Sequence, residues 1–323
     1  MKERGKSWQY VLGCQWPRWP LDKDPPSTGP DVAVVGAARS GTTYLAAQLS
    51  AHPTIDAPAV KEPNFYSRYL DKGDAWYHDL FPARAPGHVR LDASVSYTFP
   101  HFPGALAALA KASPHAQIVY VVRDPIARAL SHYQLHRYYF TNEPAATFGE
   151  AIASNPVYLG SSDFGHWLEQ IADCFPEEQV LLVPVQATTG DVSQVVDMIL
   201  RRLGLPPLEE AEAATASLHR NDVVAFRSEF AHRIVKKVKN NTAYPKFRSL
   251  VGGERIRKIR SALTKQAPRE SLADALATCS DAQRQELDAL AERADQAVTQ
   301  HLRAQDARTG LTWADRWVEA TAR

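Results

Sequence analysis

Cysteine is scarce in this chain, and that scarcity removes several kinds of chemistry. The three present, Cys14, Cys174 and Cys279, lie far apart. None forms a CxxC or other metal-ligand spacing, and the number is odd. A disulfide framework is therefore not expected, no metal site is expected, and a reducing compartment is. No run of about 18 apolar residues occurs, so no membrane span is expected. Lys2, Arg4 and Lys6 are followed by no continuous apolar stretch. A secretory leader is thus not expected, and the chain reads as cytoplasmic. Charge of one sign is missing too: 37 Lys and Arg against 36 Asp and Glu leave +1. That balance announces no nucleic-acid partner. What is present is 45% hydrophobic residues over 323 positions, enough for a sizeable core.

Residues 1–30 gather Trp8, Trp16 and Trp19 with Pro17, Pro20, Pro25, Pro26 and Pro30. This reads as an irregular arm whose tryptophans pack on the rest, with acceptor binding as the alternative role. Residues 31–323 read as a single domain, with a core over 31–207 and a helical, basic part over 208–323. Val32–Val35, Ile118–Val122 and Val180–Val183 are short apolar runs suited to buried strands. Pro125 opens a helix expected through Tyr139, and Val192–Leu203 is a helix closed by Gly204 and Pro206. Gln283–Leu302 reads as a polar helix with Leu287, Leu290 and Ala291 on one face. Strands alternating with helices predict an α/β fold: a P-loop-like parallel central sheet flanked by helices, with a helical C-terminal part. Ala231–Lys265 holds many cations and one acid, Glu254. A solvated helical face is the plain reading, and peripheral contact with an anionic ligand or membrane surface is the sharper one.

Three segments carry chemistry. Val35 leads into Gly36, four residues, Gly41 and two hydroxyl residues. Strand, glycine loop and helix present backbone N–H groups and a helix dipole to a phosphate. Thr42 stands where a nucleoside-triphosphate loop has its lysine, and Arg39 is the loop's only cation. The ligand expected is therefore phosphate-bearing but not a nucleoside triphosphate. Arg123-Asp124-Pro125, with Arg128 and Ser131, follows the second strand. Arg123 and Ser131 are candidates to clamp a second anionic group, separate from the first. The same residues also read simply as a helix start capped by Asp124. Lys61-Glu62-Pro63-Asn64-Phe65-Tyr66 is a non-helical segment. It reads as a surface loop or, placed near the first loop, as the carrier of a general base, Glu62.

In this order the three segments resemble the sulfotransferases that use 3′-phosphoadenosine 5′-phosphosulfate, in their bacterial and heparan-type branch. Trp76-Tyr77 with Phe81-Pro82, Asp92–Tyr97, Ser131-His132-Tyr133, Phe148–Ile152 and Phe175-Pro176 extend the likeness over about residues 31 to 207. The resemblance implies that Arg39, Ser40, Gly41, Thr42 and Thr43 bind the 5′-phosphosulfate, and that Arg123 and Ser131 bind the 3′-phosphate. Tyr44 or, more weakly, Phe164 would flank the adenine. Glu62 would be the base, since the Arg90–Ser96 strand lacks the histidine of the small-molecule branch. Arg39 stands where many members have lysine, and it donates a proton less readily. Asp92 is a secondary acid, read first as a helix or turn cap. His101 and His132 read as packing or hydrogen-bonding residues rather than bases. The basic loop over the cofactor is sought at Arg255 and Arg257 or at His219-Arg220-Asn221. The implied reaction moves a sulfuryl group to a hydroxyl or amine on a carbohydrate, glycolipid or small metabolite, with the 3′,5′-bisphosphate as product and no metal. The alternatives are a P-loop nucleotide kinase or other phosphotransferase, and a nucleotide-binding protein without catalysis.

Overall fold

The computed structural model describes residues 29–190, 192–208 and 270–322, together with the backbone of two short strands at 224–226 and 264–266. The core begins with β1 (Val32–Gly36), α1 (Thr42–Leu49), β2 (Ile55–Asp56), α2 (Gly73–His78), β3 (Val89–Asp92), α3 (Ala105–Ala112) and β4 (Gln117–Val122). It continues with α4 (Pro125–Gln134), α5 (Phe148–Ser154), α6 (Val157–Gly160), α7 (Phe164–Cys174), β5 (Val180–Pro184), α8 (Val185–Gly190) and α9 (Val192–Arg202).

The five strands form one parallel sheet in the order β2-β3-β1-β4-β5. Every residue of β1 is buried, and Ile118–Val122 of β4 are buried as well. That suits apolar, β-branched runs covered by helices on both faces. The order also fixes where a ligand can enter. The chain leaves β1 toward β2 on one side, whereas it leaves β4 toward β5 on the other. β1 and β4 are neighbours, so their carboxyl ends bound a crevice at a topological switch point, where open α/β sheets bind ligands.

Local chemistry sets the helix starts at this crevice. Gly41, with φ 91°, turns the chain into α1. A left-handed conformation is costly for a side chain other than glycine's. Asp124 Oδ1 accepts the Ala127 N–H at 2.7 Å and Pro125 occupies the first turn of α4. The helix does not stop at Gln134: a wider π-helical turn, Leu135–Phe140, carries it on until Thr141. The strand expected over Arg90–Ser96 ends earlier, at Asp92, and a 3₁₀ turn covers Val95–Thr98. Hydrogen bonds from Ser94 and Tyr97 to the Asp92 carboxylate fold the chain back on itself there.

The C-terminal part is helical as expected, and it also contains the antiparallel pair β6 (Val224–Phe226) and β7 (Thr264–Gln266). α10 (Leu272–Ala277), α11 (Asp281–Thr309) and α12 (Trp313–Thr321) follow. Ser280 and Gln283 form a capping box at the start of α11, two residues before the expected boundary. α11 covers the open edge of the sheet. Gln305 Oε1 accepts the Leu182 N–H and Gln305 Nε2 donates to the Leu182 carbonyl, each at 2.9 Å. A side-chain amide thus satisfies both outward backbone groups of that β5 residue. At the α10–α11 junction Gly149 N–H donates to Thr278 Oγ1 at 3.0 Å, and a Cβ on Gly149 would lie 2.3 Å from the Thr278 carbonyl oxygen. The arm over 1–28, most of the basic 231–265 segment, Arg255, Arg257 and His219-Arg220-Asn221 lie outside the described residues. No described helix is long and apolar enough to cross a membrane.

Candidate site at the sheet's carboxyl edge

The loop from Ala37 to Gly41 is the floor of the crevice. Arg39 has φ 72° and Gly41 has φ 91°, so two left-handed residues bend the loop tightly. Such a bend points successive N–H groups into one concavity. Ser40 is fully buried, and its Oγ has no hydrogen-bond partner among the described residues. Thr42 is buried, while Thr43 and Tyr44 are half-buried on the first turn of α1.

Two arginines from α4 and its N-terminal approach brace this loop from behind. Arg128 Nη1 donates to the Ala38 carbonyl at 3.1 Å and Arg123 Nη1 to the Arg39 carbonyl at 3.4 Å. The Arg39 side chain in turn donates from Nε to Ser131 Oγ at 3.0 Å. The two anion motifs therefore lie side by side, in contact through these two side chains. The cause is the strand order: β4 lies beside β1, so the second turn of α4 rises directly alongside the first loop.

Three guanidinium groups share this corner, and burial disfavours the charge on each. Arg39 is pushed down to about 10, chiefly by burial and then by Arg123, with Glu62 opposing. Arg123 is lowered by burial, against Asp124. Arg128, fully buried, is pushed down to about 9 by burial, with Tyr120 opposing and Arg123 and Arg39 adding. All three remain cations at neutral pH. Arg128 holds its position by further donating to Ser162 Oγ at 2.6 Å and to the Tyr158 carbonyl. The sequence named this residue beside Arg123 without giving it a role, and its burial becomes visible only in the structure.

Glu62 is the carboxylate whose field reaches Arg39. Its side chain is 32% exposed, and Oε1 sits 2.6 Å from Lys61 Nζ. The backbone at Glu62 is left-handed, φ 61°, as it is at Asn64, φ 52°. Asp92 has a different place from the cap expected of it. It is fully buried at the end of β3, accepting hydrogen bonds from Ser94 Oγ at 2.6 Å, Tyr97 OH at 2.7 Å and Tyr77 OH at 3.0 Å. Burial pushes its carboxyl up to about 6 despite these three bonds. The end of a strand beside β1 is where a P-loop phosphotransferase carries its Mg²⁺ carboxylate. Here that carboxylate is engaged by hydroxyl groups.

The remaining candidates sort by burial. Phe164 is fully buried with its ring edge-on to Tyr120, which makes it core rather than a wall for adenine. Tyr44 stays half-buried at the crevice. His132 is buried among Phe99, Tyr158 and His136, and burial holds it well below the usual imidazole range. His101 is lowered in the same way, so both are packing groups as expected.

A family model described as the sulfotransferase domain matches residues 29–271. Human heparan sulfate glucosamine 3-O-sulfotransferase 3B1 is 27% identical over 215 residues, 58% of this chain and 53% of that protein. Human heparan sulfate glucosamine 3-O-sulfotransferase 6 is 33% identical over 187 residues, 54% of this chain and 52% of that protein. The chain thus spans about half the length of these curated relatives. Among solved structures, a sulfotransferase from Alicyclobacillus acidocaldarius superposes with a TM-score of 0.50 at 26% identity, covering 66% of this chain and 94% of that one.

Proposed function

We propose that this chain, which belongs to the sulfotransferase family, transfers a sulfuryl group from 3′-phosphoadenosine 5′-phosphosulfate to a hydroxyl or amine of an acceptor. The observation that carries this reading is the junction of the two anion motifs, with Arg39 Nε on Ser131 Oγ at 3.0 Å and Arg123 braced on the same loop. A ligand with two anionic groups on one ribose, at its 3′ and 5′ positions, fits a corner where the two motifs lie side by side. The unpartnered Ser40 hydroxyl in the floor fits it as well, since a phosphate oxygen would complete that donor.

Ser40, Thr42, Thr43 and the N–H groups of the loop would hold the 5′-phosphosulfate, and Arg123 with Ser131 the 3′-phosphate. Tyr44 would lie against the adenine. When bound, the donor supplies an electrophilic sulfur with a phosphate as its leaving group. Glu62 accepts the proton of the attacking acceptor. Arg39 and the N-terminus of α1 stabilise the charge that develops on the leaving oxygen. Arg39 does so as a fixed cation, since a guanidinium gives up its proton less readily than a lysine amine.

The relatives named for heparan sulfate glucosamine support a carbohydrate acceptor. The net charge of +1 argues against a long polyanion, and favours a short saccharide, a glycolipid or a glycosylated metabolite. Incubation with radiolabelled phosphosulfate donor and fractionated cell extract tests the proposal. Label should appear in a carbohydrate-bearing fraction with the wild type and not with Arg123→Ala. Strict dependence on Mg²⁺-ATP would point instead to a phosphotransferase. Tight bisphosphate binding without transfer to any fraction would point to a binding protein.

A further inference from the structure

We infer that Asn64 is a positioning residue for Glu62, fixing through its side-chain amide the backbone from which that carboxylate is presented to the transfer site. The inference rests on the proposed role of Glu62 as base. Its observation is a continuous set of hydrogen bonds that starts on Glu62 and ends in the core. Asn64 Nδ2 donates to the Glu62 carbonyl at 2.7 Å. Asn64 Oδ1 accepts from Ser96 Oγ at 2.5 Å, which fixes which way the amide faces, and Ser67 Oγ lies 2.5 Å from the same Ser96 hydroxyl. The Asn64 N–H donates to Ser94 Oγ at 2.9 Å, and Ser94 donates to Asp92 Oδ1 at 2.6 Å.

The polarity of this set is forced from its buried end. An ionised Asp92 only accepts, so Ser94 must donate to it and turn a lone pair toward the Asn64 N–H. The backbone it steadies has reason to move. Glu62 is left-handed and precedes a proline, a position that favours extended conformations. A left-handed conformation is costly for a residue other than glycine. The hydrogen bond that Asn64 Nδ2 donates to the Glu62 carbonyl opposes that relaxation. Lys61 Nζ is already 2.6 Å from Oε1 and competes for the same carboxylate.

The experiment uses water as the acceptor, so that no unidentified substrate enters. The water oxygen bonds to sulfur as the bond from sulfur to the phosphate oxygen breaks; the electron pair leaves with the bisphosphate and the proton goes to Glu62. Release of labelled sulfate from the phosphosulfate donor is followed in single turnover for the wild type, Asn64→Gly, Ser96→Ala, Glu62→Gln and the Glu62→Gln/Asn64→Gly pair. Glycine adopts the left-handed backbone freely, so Asn64→Gly removes the amide and keeps the turn. The expected result is a loss of about 10–100-fold in Asn64→Gly, a smaller loss in Ser96→Ala, and bisphosphate affinity within about twofold of wild type. The double variant should be no slower than Glu62→Gln, because a residue acting through Glu62 has nothing left to position. A wild-type rate in Asn64→Gly, losses that multiply in the double variant, or bisphosphate affinity that falls with the rate would each overturn the inference. A wild-type rate in Glu62→Gln would overturn the base itself, which separates the two failures.

Discussion

Asp92 gives the most exposed test of how burial and hydrogen bonding compete in this protein. Its carboxyl stands at about 6 in the fold against 3.8 ordinarily. The difference, roughly 2 units, corresponds to about 3 kcal/mol. The sign follows from proton counting. Between pH 3.8 and 6 the folded protein binds more protons at Asp92 than the unfolded chain does. Stability from this group is therefore fully present below the unfolded value and is lost as pH rises through the folded one. The buried histidines act in the opposite direction. His136 is pushed down to about 4 by burial from 6.5, and His132 and His101 are lowered as well. Their contribution is lost as pH falls, so the whole protein should be acid-labile and the Asp92 effect concealed beneath it. Asp92→Asn isolates it, because the histidines are common to both proteins. Urea unfolding followed by far-ultraviolet circular dichroism, at pH values from 4 to 7, should show the stability of wild type minus that of Asp92→Asn falling by about 3 kcal/mol as pH rises. A difference that stays constant, or that rises with pH, would refute the reasoning. It would mean that the three hydroxyl donors outweigh burial.

The remaining predictions concern the site and the sheet edge. Glu62→Gln should lower turnover by about 10²–10⁴-fold with bisphosphate affinity retained, measured by label transfer and equilibrium binding; full activity would remove Glu62 as base. Arg39→Lys should introduce a fall in transfer rate above about pH 8, since a lysine of ordinary pKa about 10.4 would be lowered by about as much as Arg39 is. Identical pH profiles for that variant and the wild type would contradict it. Gln305→Leu should cost about 2–6 kcal/mol in urea unfolding, because two buried backbone groups of Leu182 lose their partner at about 1–3 kcal/mol each. An unchanged midpoint would show that water or a neighbouring group replaces the amide.

Much of the fold was legible because its signals are local. Val32–Val35, Ile118–Val122 and Val180–Val183 are apolar runs too short for helices, and each is a strand of the parallel sheet. Asp124 and Pro125 mark the start of α4 by their own chemistry. The misplaced end of β3 has a non-local cause. The chain turns after Asp92 because that carboxylate gathers Tyr77, Ser94 and Tyr97, and Tyr77 comes from a different element. The contact of Arg39 with Ser131 was hidden for a related reason. Ninety-two positions separate the two residues, and only the placement of β4 beside β1 makes them neighbours. Gln305 left a trace that can be read in retrospect. It continues the stripe of Val298 and Leu302 on α11 and is buried with them. A polar residue within an apolar stripe needs a buried partner, here the edge of β5.

The corner where Arg39, Arg123 and Arg128 meet explains why the loop can do without the usual lysine. Three buried like charges cost free energy, and the fold offsets that cost in a different way for each. Arg128 donates to two backbone carbonyls and a serine hydroxyl, so its charge is spread over fixed dipoles that also hold the loop in shape. Arg123 feels Asp124, whose side chain caps α4 at the same time. Arg39 feels Glu62 and donates to Ser131, a hydroxyl that a ligand phosphate can displace or share. The potential left over is positive and faces the crevice. A lysine amine in that field loses its proton more readily than a guanidinium does. With an arginine at position 39, the corner keeps its full charge at neutral pH, and the anion that enters supplies the compensation the protein leaves incomplete. In the proposed reaction the proton of the acceptor goes elsewhere, to a carboxylate that does not belong to this corner. Glu62 is that carboxylate, one-third exposed and within reach of the field of Arg39.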